Sequence, residues 1–433
     1  MPPAAAPEAA IFLDPLPPPI VPEETARKTA ESFFKLVLPE LSGPGVTTAG
    51  LGAQFTVARQ EARRDGNFGE ITEETTWVRV DRSISGRRIY GPGSAAVAEV
   101  KRGRVIATVL RWDRAENQIA SVFVQPLNDT ILRSRVESEF SDPDEKIIEV
   151  LSTPELVYYD DRHTLTPVYR VVVSVNHRDG APADRMAILF PADGSAKPVP
   201  PSAGALPDEC KQPLEVNPAG IRVDRYVLKG DDNLWLANAL AFNSKLSMNP
   251  GTLALRRFCY LKARMLAAKK AEFIDSSHIA LIESHGLPGE VAVGGAAGWV
   301  SLDGVGGFGS QTDSLRLLIL HSCQVIQTGD DNRKGWAARW FKVFDGLHTV
   351  LGYRTTMEIN DGVSAAFATH LGNDKPLIRS WFAEVVAAYD TASAANKSGR
   401  AAAITSCGEG NAKRSDLKRM LAPPCLVSFW LRD

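Results

Sequence analysis

Two short, uninterrupted apolar runs constrain this chain more than any other feature. HIALIES (His278–Ser284) ends at His285-Gly286, and LRLLILHS (Leu315–Ser322) ends at Cys323. A strand with one wet face alternates apolar and polar residues, whereas one without alternation is buried on both faces. Helical patterns surround the two runs. They cover Asn233–Leu246, with Trp235, Ala239 and Phe242 on one side; Thr252–Ala271, rich in Leu, Ala, Lys and Arg; Gly362–Leu371; and Pro376–Asp390. Trp336, Trp340, Val343, Phe344 and Leu347 trace a further helical face. Strand candidates stand at Arg225–Leu228 and Thr349–Gly352. Short buried strands between helices predict an α/β domain with a mostly parallel sheet over residues 221–433.

The first half reads differently. A helix is expected over Glu24–Leu38, where Ala30, Phe33, Phe34 and Val37 recur at helical spacing. Strands follow at Thr75–Arg82, Ala95–Gly103 and Arg104–Trp112, then a helix near Asp129–Phe140. Strands resume at Glu155–Tyr159, Pro167–Asn176 and Arg185–Phe190. One helix and then several short strands indicate an α+β domain over 24–195. The Pro-rich stretch 196–220 cannot sustain a helix or a central strand and is expected to connect the two domains. Residues 1–23, rich in Pro and Ala, read as an extended tail.

Composition sets the outer limits. A chain of 433 residues is long for one ordinary core, so two domains are expected. A net charge of -2 gives no electrostatic reason for a nucleic-acid or anionic-membrane partner. No apolar run is long enough for a membrane span. No signal peptide is recognisable, so a chain complete at Met1 is expected to be cytoplasmic, and one whose signal has been removed, secreted. Five cysteines leave at least one unpaired; Cys407 and Cys425 either bridge the last loop in an oxidising compartment or remain thiols.

Parallel neighbouring strands end at one edge of a sheet, so residues just beyond them converge. That brings His285 towards Cys323, and an imidazole beside a thiol makes a nucleophile. Gly286 allows a close backbone approach, and its N–H is a candidate oxyanion donor. Each residue alone has a plainer reading: Cys323 as a small buried hydrophobe, His285 as a loop histidine, His278 as structural. His321 offers three roles, as partner of the pair, pocket wall, or zinc ligand with Cys323 and His285. The glycine-rich Val291–Ser310 holds no Walker lysine and reads as a mobile loop. Asp330 and Asp331 read as a solvated loop, with calcium as the alternative.

The order of apolar block, His-Gly, apolar block and x-x-Cys in IALIESHG and LLILHSCQ resembles the caspase-like (clan CD) cysteine peptidases. Residues 221–433, including GLHTVLGYRTT, are similar more specifically to an uncharacterised bacterial and fungal domain family with those motifs. The resemblance implies a cysteine endopeptidase that needs no cofactor and acts on a peptide or protein. Cys323 would be the nucleophile, His285 the general acid/base, and the N–H groups of Gly286 and Cys323 the oxyanion donors. His321 and Arg354 would line the pocket for the residue before the cleaved bond, favouring acidic or polar side chains. Arg354 paired with Glu358 or Asp361 would instead leave that pocket neutral. A transpeptidase or ligase using the same pair, and a non-catalytic scaffold, are the alternatives. In the first half, WVRVDRSISGRRIYGPGSAAVAEV with GRVIATVLRW resembles fungalysin/thermolysin-type propeptides, and LVYYDDRHTLTPVYRVVVSV the PepSY-type module. They imply an inhibitory or chaperone-like role.

Overall fold

The computed structural model describes residues 22–42, 47–84, 86–91, 94–112, 124–125, 128–140, 146–160, 164–177, 184–194, 220–228, 233–247, 253–259, 274–293, 298–310, 314–332, 335–359, 362–389, 398–418 and 422–432. The first half contributes α1 (Glu23–Ser42), β1 (Thr47–Arg63), β2 (Thr72–Ile84), β3 (Arg87–Tyr90), β4 (Ser94–Lys101), β5 (Arg104–Trp112) and α2 (Asp129–Phe140). It continues with β6 (Lys146–Val150), β7 (Glu155–Asp160), β8 (Leu165–His177) and β9 (Asp184–Pro191). The second half runs through β10 (Ile221–Val227), α3 (Asn233–Ser247), β11 (Leu253–Cys259), β12 (Ile279–Glu283), β13 (Gly286–Leu287), β14 (Glu290–Ala292), β15 (Trp299–Ser301) and β16 (Leu317–His321). It closes with α4 (Gly335–Val343), β17 (Thr349–Tyr353), α5 (Val363–Gly372), α6 (Leu377–Ala388), β18 (Ala401–Ser406) and β19 (Cys425–Arg432).

The two apolar runs become β12 and β16, and every residue in them is buried. They pair in parallel, with Glu283 opposite His321. β10 lies parallel to β12 on one side and β17 parallel to β16 on the other. The absence of alternation now has its cause in two covered faces. Ile279, Leu281, Leu317, Ile319 and Leu351 pack in one core with Trp235, Phe367 and Trp381 from α3, α5 and α6. Ala280, Ile282, Leu318, Leu320 and Val350 pack in another with Trp336 and Trp340 of α4. Side chains on a strand alternate between faces, so a run apolar at every position feeds both cores.

Three expectations are corrected. Thr252–Ala271 was expected as helix, but Leu253–Cys259 is a strand, parallel to β10; residues 260–273 lie outside the described ones. Its Leu, Ala and Arg are good helix formers, yet pairing along the edge of an existing sheet outweighs a propensity of a few tenths of a kcal/mol per residue. Within Val291–Ser310, β14 and β15 join β13 in a small antiparallel sheet, where a loop was expected. Strands this short leave no readable period. The side chain of Cys323, expected at a strand end rather than deep in a core, belongs to the core under α3, α5 and α6.

The sheet does not stop at the Pro-rich connection, most of which lies outside the described residues. β18 and β19 pair antiparallel after β17, and β1 then pairs antiparallel with β19 from Thr56↔Arg432 to Arg63↔Cys425. Among the described residues this makes one mixed sheet of 16 strands with few helices, compatible with the expected α/β character. Cys407 and Cys425 form a disulfide across the β18–β19 ends, with Cα atoms 5.5 Å apart. No described helix is long and apolar enough to cross a membrane.

α6 spans the seam, packing on β18 and on β2, β4 and β5. Its fully buried Glu384 receives Arg111 of β5 and His370 of α5, each at 2.6 Å. Burial alone would raise the Glu384 carboxyl; the Arg111 charge and the His370 and Arg111 contacts outweigh it and hold the group below its ordinary value. A lowered folded pKa stabilises the fold above the unfolded value, about 4.3, and that gain is lost as pH falls through the folded value. Glu384→Gln should therefore cost about 3 kcal/mol at pH 7. Its deficit against the wild type should shrink as the pH drops below about 4. Denaturant midpoints at both pH values check this, and an equal deficit at each would exclude the ionic role.

Candidate active site

β12 and β16 end side by side at Glu283 and His321, and the chain continues two residues beyond each to His285 and Cys323. The two loops are in contact. A Cβ placed on Gly286 would run into the Cys323 carbonyl oxygen and the Val325 side chain, and would lie 3.0 Å from the Ser322 Cβ. Only glycine admits so close an approach. Backbone bonds tie the same loops together: Gly289 N–H donates to the Val325 carbonyl at 2.9 Å, and Ser284 N–H to that of His321 at 3.5 Å.

Cys323 is a free cysteine and is 6% exposed. The Met357 N–H donates to its sulfur at 3.4 Å, and the thiol donates to the Met357 carbonyl at 3.9 Å. Gln324, the next residue, has φ of 54°, the left-handed region that a side chain disfavours. Its N–H donates to the Thr355 carbonyl at 3.0 Å, and that of Ile326 to the Tyr353 carbonyl at 3.0 Å. The turn after the thiol is thus bound to the segment that follows β17. His285 is 1% exposed, with its ring edge-on to Trp235 of α3, 5.7 Å between centroids.

Immediately beneath lies a buried charged row that the sequence reading did not assemble. His321 Nδ1 and Glu283 Oε2 are 2.5 Å apart, both residues fully buried. The Ser364 hydroxyl donates to the other Glu283 oxygen at 3.3 Å. His321 is edge-on to Trp235 and to Tyr353, at 5.9 and 5.7 Å. Arg225 on β10 is also buried; burial pushes its guanidinium down to about 10, with the Glu283 charge opposing. His321 therefore stands as a partner of Glu283. A signal existed: an acid closing an apolar run buried on both faces must be paired. Trp235, read only as part of a helix face, touches both histidine rings. Removing one partner strands a buried charge, so Glu283→Gln should cost about 3 kcal/mol. An unchanged urea midpoint would show the row to be energetically neutral.

Arg354 is held by Asp330 at 3.1 Å and Asp331 at 2.9 Å, and not by Glu358, whose partner is Arg170; Asp361 lies outside the described residues. Asp330 also accepts from Trp430 Nε1 at 2.7 Å and from Arg432. The Asp330–Asp331 loop is accordingly pinned to the end of β19. The two expected pocket residues, His321 and Arg354, each face carboxylate. His278 accepts the Arg222 N–H at 3.0 Å. Glu61, Cys407 and Cys425 are the group of metal-type ligands that comes together among the described residues, and two of its donors are joined in the disulfide.

Residues 260–417 match the family model described as a domain of unknown function (DUF6345), a span that contains His285 and Cys323 and leaves out the first half. No curated protein matches the chain. Among solved structures it is similar to a secreted C11 cysteine protease from Bacteroides thetaiotaomicron, determined with an irreversible peptide inhibitor. The two share 8% identity at a TM-score of 0.29, over 43% of this chain and 66% of that one.

Proposed function

We propose that the chain is a cysteine-dependent hydrolase with a caspase-like second half, acting on a peptide or protein. The observation that carries this reading is the contact between the two strand-end loops, in which Gly286 lies against the Cys323 carbonyl. The left-handed Gln324 beside the thiol supports it, because strained backbone collects at reactive turns. In the reaction His285 takes the thiol proton as the Cys323 sulfur attacks the carbonyl carbon, and the oxygen charge is taken by the N–H groups of Gly286 and Cys323. As the C–N bond breaks, His285 gives its proton to the leaving amine, and a thioester remains on Cys323. Water, deprotonated by His285, then releases the acid. If an amine attacks instead, the same thioester yields a transpeptidation product.

The first half is assigned a supporting role, since β1 completes the sheet beside β19. A peptidyl electrophile tests the proposal: it should label Cys323 selectively, and His285→Ala should slow labelling by about a hundredfold or more. Labelling of Cys323 no faster than of the remaining thiols, and unaffected by His285→Ala, would favour the non-catalytic scaffold.

A further inference from the structure

Cys323 and His285 are 6% and 1% exposed, so a substrate carbonyl reaches neither until something moves. The wall against the thiol is the segment 354–359 after β17, whose Met357 N–H touches the sulfur. This wall is fastened from the first half of the chain. Arg170 of β8 pairs with Glu358 at 3.4 Å, and its guanidinium also lies over the Tyr90 ring of β3, 4.8 Å from the centroid. Tyr389 receives the Glu358 N–H on its hydroxyl at 2.6 Å, while its carbonyl accepts from Arg79 of β2 at 2.9 Å. Arg400, whose N–H donates to Thr355 Oγ1 at 2.9 Å, lies over the Phe55 ring of β1 at 4.8 Å.

We propose that Arg170 and Glu358 form a latch by which the first half holds the 354–359 wall closed over Cys323. Of the three fastenings, this is the one built on partly exposed charges, 19% and 18% for the two side chains. The Arg79 and Arg400 residues are buried and anchor the segment's ends. A partly exposed ion pair is worth little to global stability, but it weighs directly on a local opening of the segment that it fastens. Its release lets Met357 move off the sulfur between the two anchored ends and uncovers the thiol without unfolding the sheet. The inference gives the regulation of the proposed hydrolase and rests on that reading for its meaning. Its test does not, because alkylation reports access to the sulfur whether or not turnover occurs.

The experiment measures iodoacetamide modification of Cys323 by peptide mass spectrometry in the full chain. Arg170→Ala and Glu358→Gln should each speed modification about fivefold, with little change in melting temperature. Added salt should speed it in the wild type and not in the variants, because salt screens the pair. The exchanged pair Arg170→Glu with Glu358→Arg should return the rate towards the wild type. Unchanged rates in both single variants would overturn the latch while leaving the hydrolase reading intact. A fast rate that the exchanged pair does not restore would equally overturn it, since general loosening would then be the cause. Faster labelling without hydrolysis in any variant would keep the latch and count against the hydrolase.

Discussion

Cys323→Ala should reduce peptide turnover by roughly a hundred-thousandfold, to the level of the assay blank. In the proposed mechanism no thioester forms without the sulfur, and the backbone donors assigned to Gly286 and Cys323 would have no tetrahedral intermediate to hold. The fold should survive. Cys323 sits in the core below α3, α5 and α6, but alanine removes a single sulfur atom, at a cost of about 1 kcal/mol. Turnover by purified wild type and variant on a peptide library, together with urea midpoints, separates the two effects. If Cys323→Ala retains turnover while Cys259→Ala loses it, the nucleophile is misassigned. Loss of activity together with loss of cooperative unfolding would report folding, and Cys323→Ser then distinguishes the cases, because it keeps the size and weakens the nucleophile.

The isolated fragment 221–433 should fail to fold as a soluble monomer. In the whole chain β19 is a central strand, covered on one side by β18 and on the other by β1. Cutting at the Pro-rich connection turns it into a bare edge that offers unpaired N–H and C=O groups to any other strand. The cut also uncovers the seam core, where Phe55, Val57, Trp77 and Val97 of the first half pack in one cluster with Trp381 and Phe382 of α6. Glu384 would lose Arg111, and Glu99 of β4 would no longer meet Arg379 at 2.7 Å. Net stabilities of about 5–15 kcal/mol do not survive losses on this scale. The expected result is aggregation or a molten state, relieved when residues 24–195 are supplied as a second chain. A monomeric fragment with a sharp thermal transition near that of the whole protein would refute the expectation.

Elements whose physics is local were legible in the residues alone. The non-alternating runs His278–Ser284 and Leu315–Ser322 specified the doubly buried strands that form at Ile279–Glu283 and Leu317–His321. Spaced tryptophans specified α4, and β5 and α2 begin and end where the alternating and helical patterns do. The sequence also delivered His285 and Cys323 to one sheet edge, because parallel strand ends share an edge whatever the rest of the chain does. Tertiary structure decided everything that depends on which strands meet. Leu253–Cys259 has a composition equally good for helix, and only the open edge of β10 made it a strand. β1 and β19, far apart in sequence, carry no local sign that they will pair and merge the two halves. The partners of His321, Arg354 and Glu358 were likewise hidden. A charged side chain states that it needs an opposite charge when buried, but the fold alone chooses Glu283, the Asp330–Asp331 pair and Arg170 to supply it.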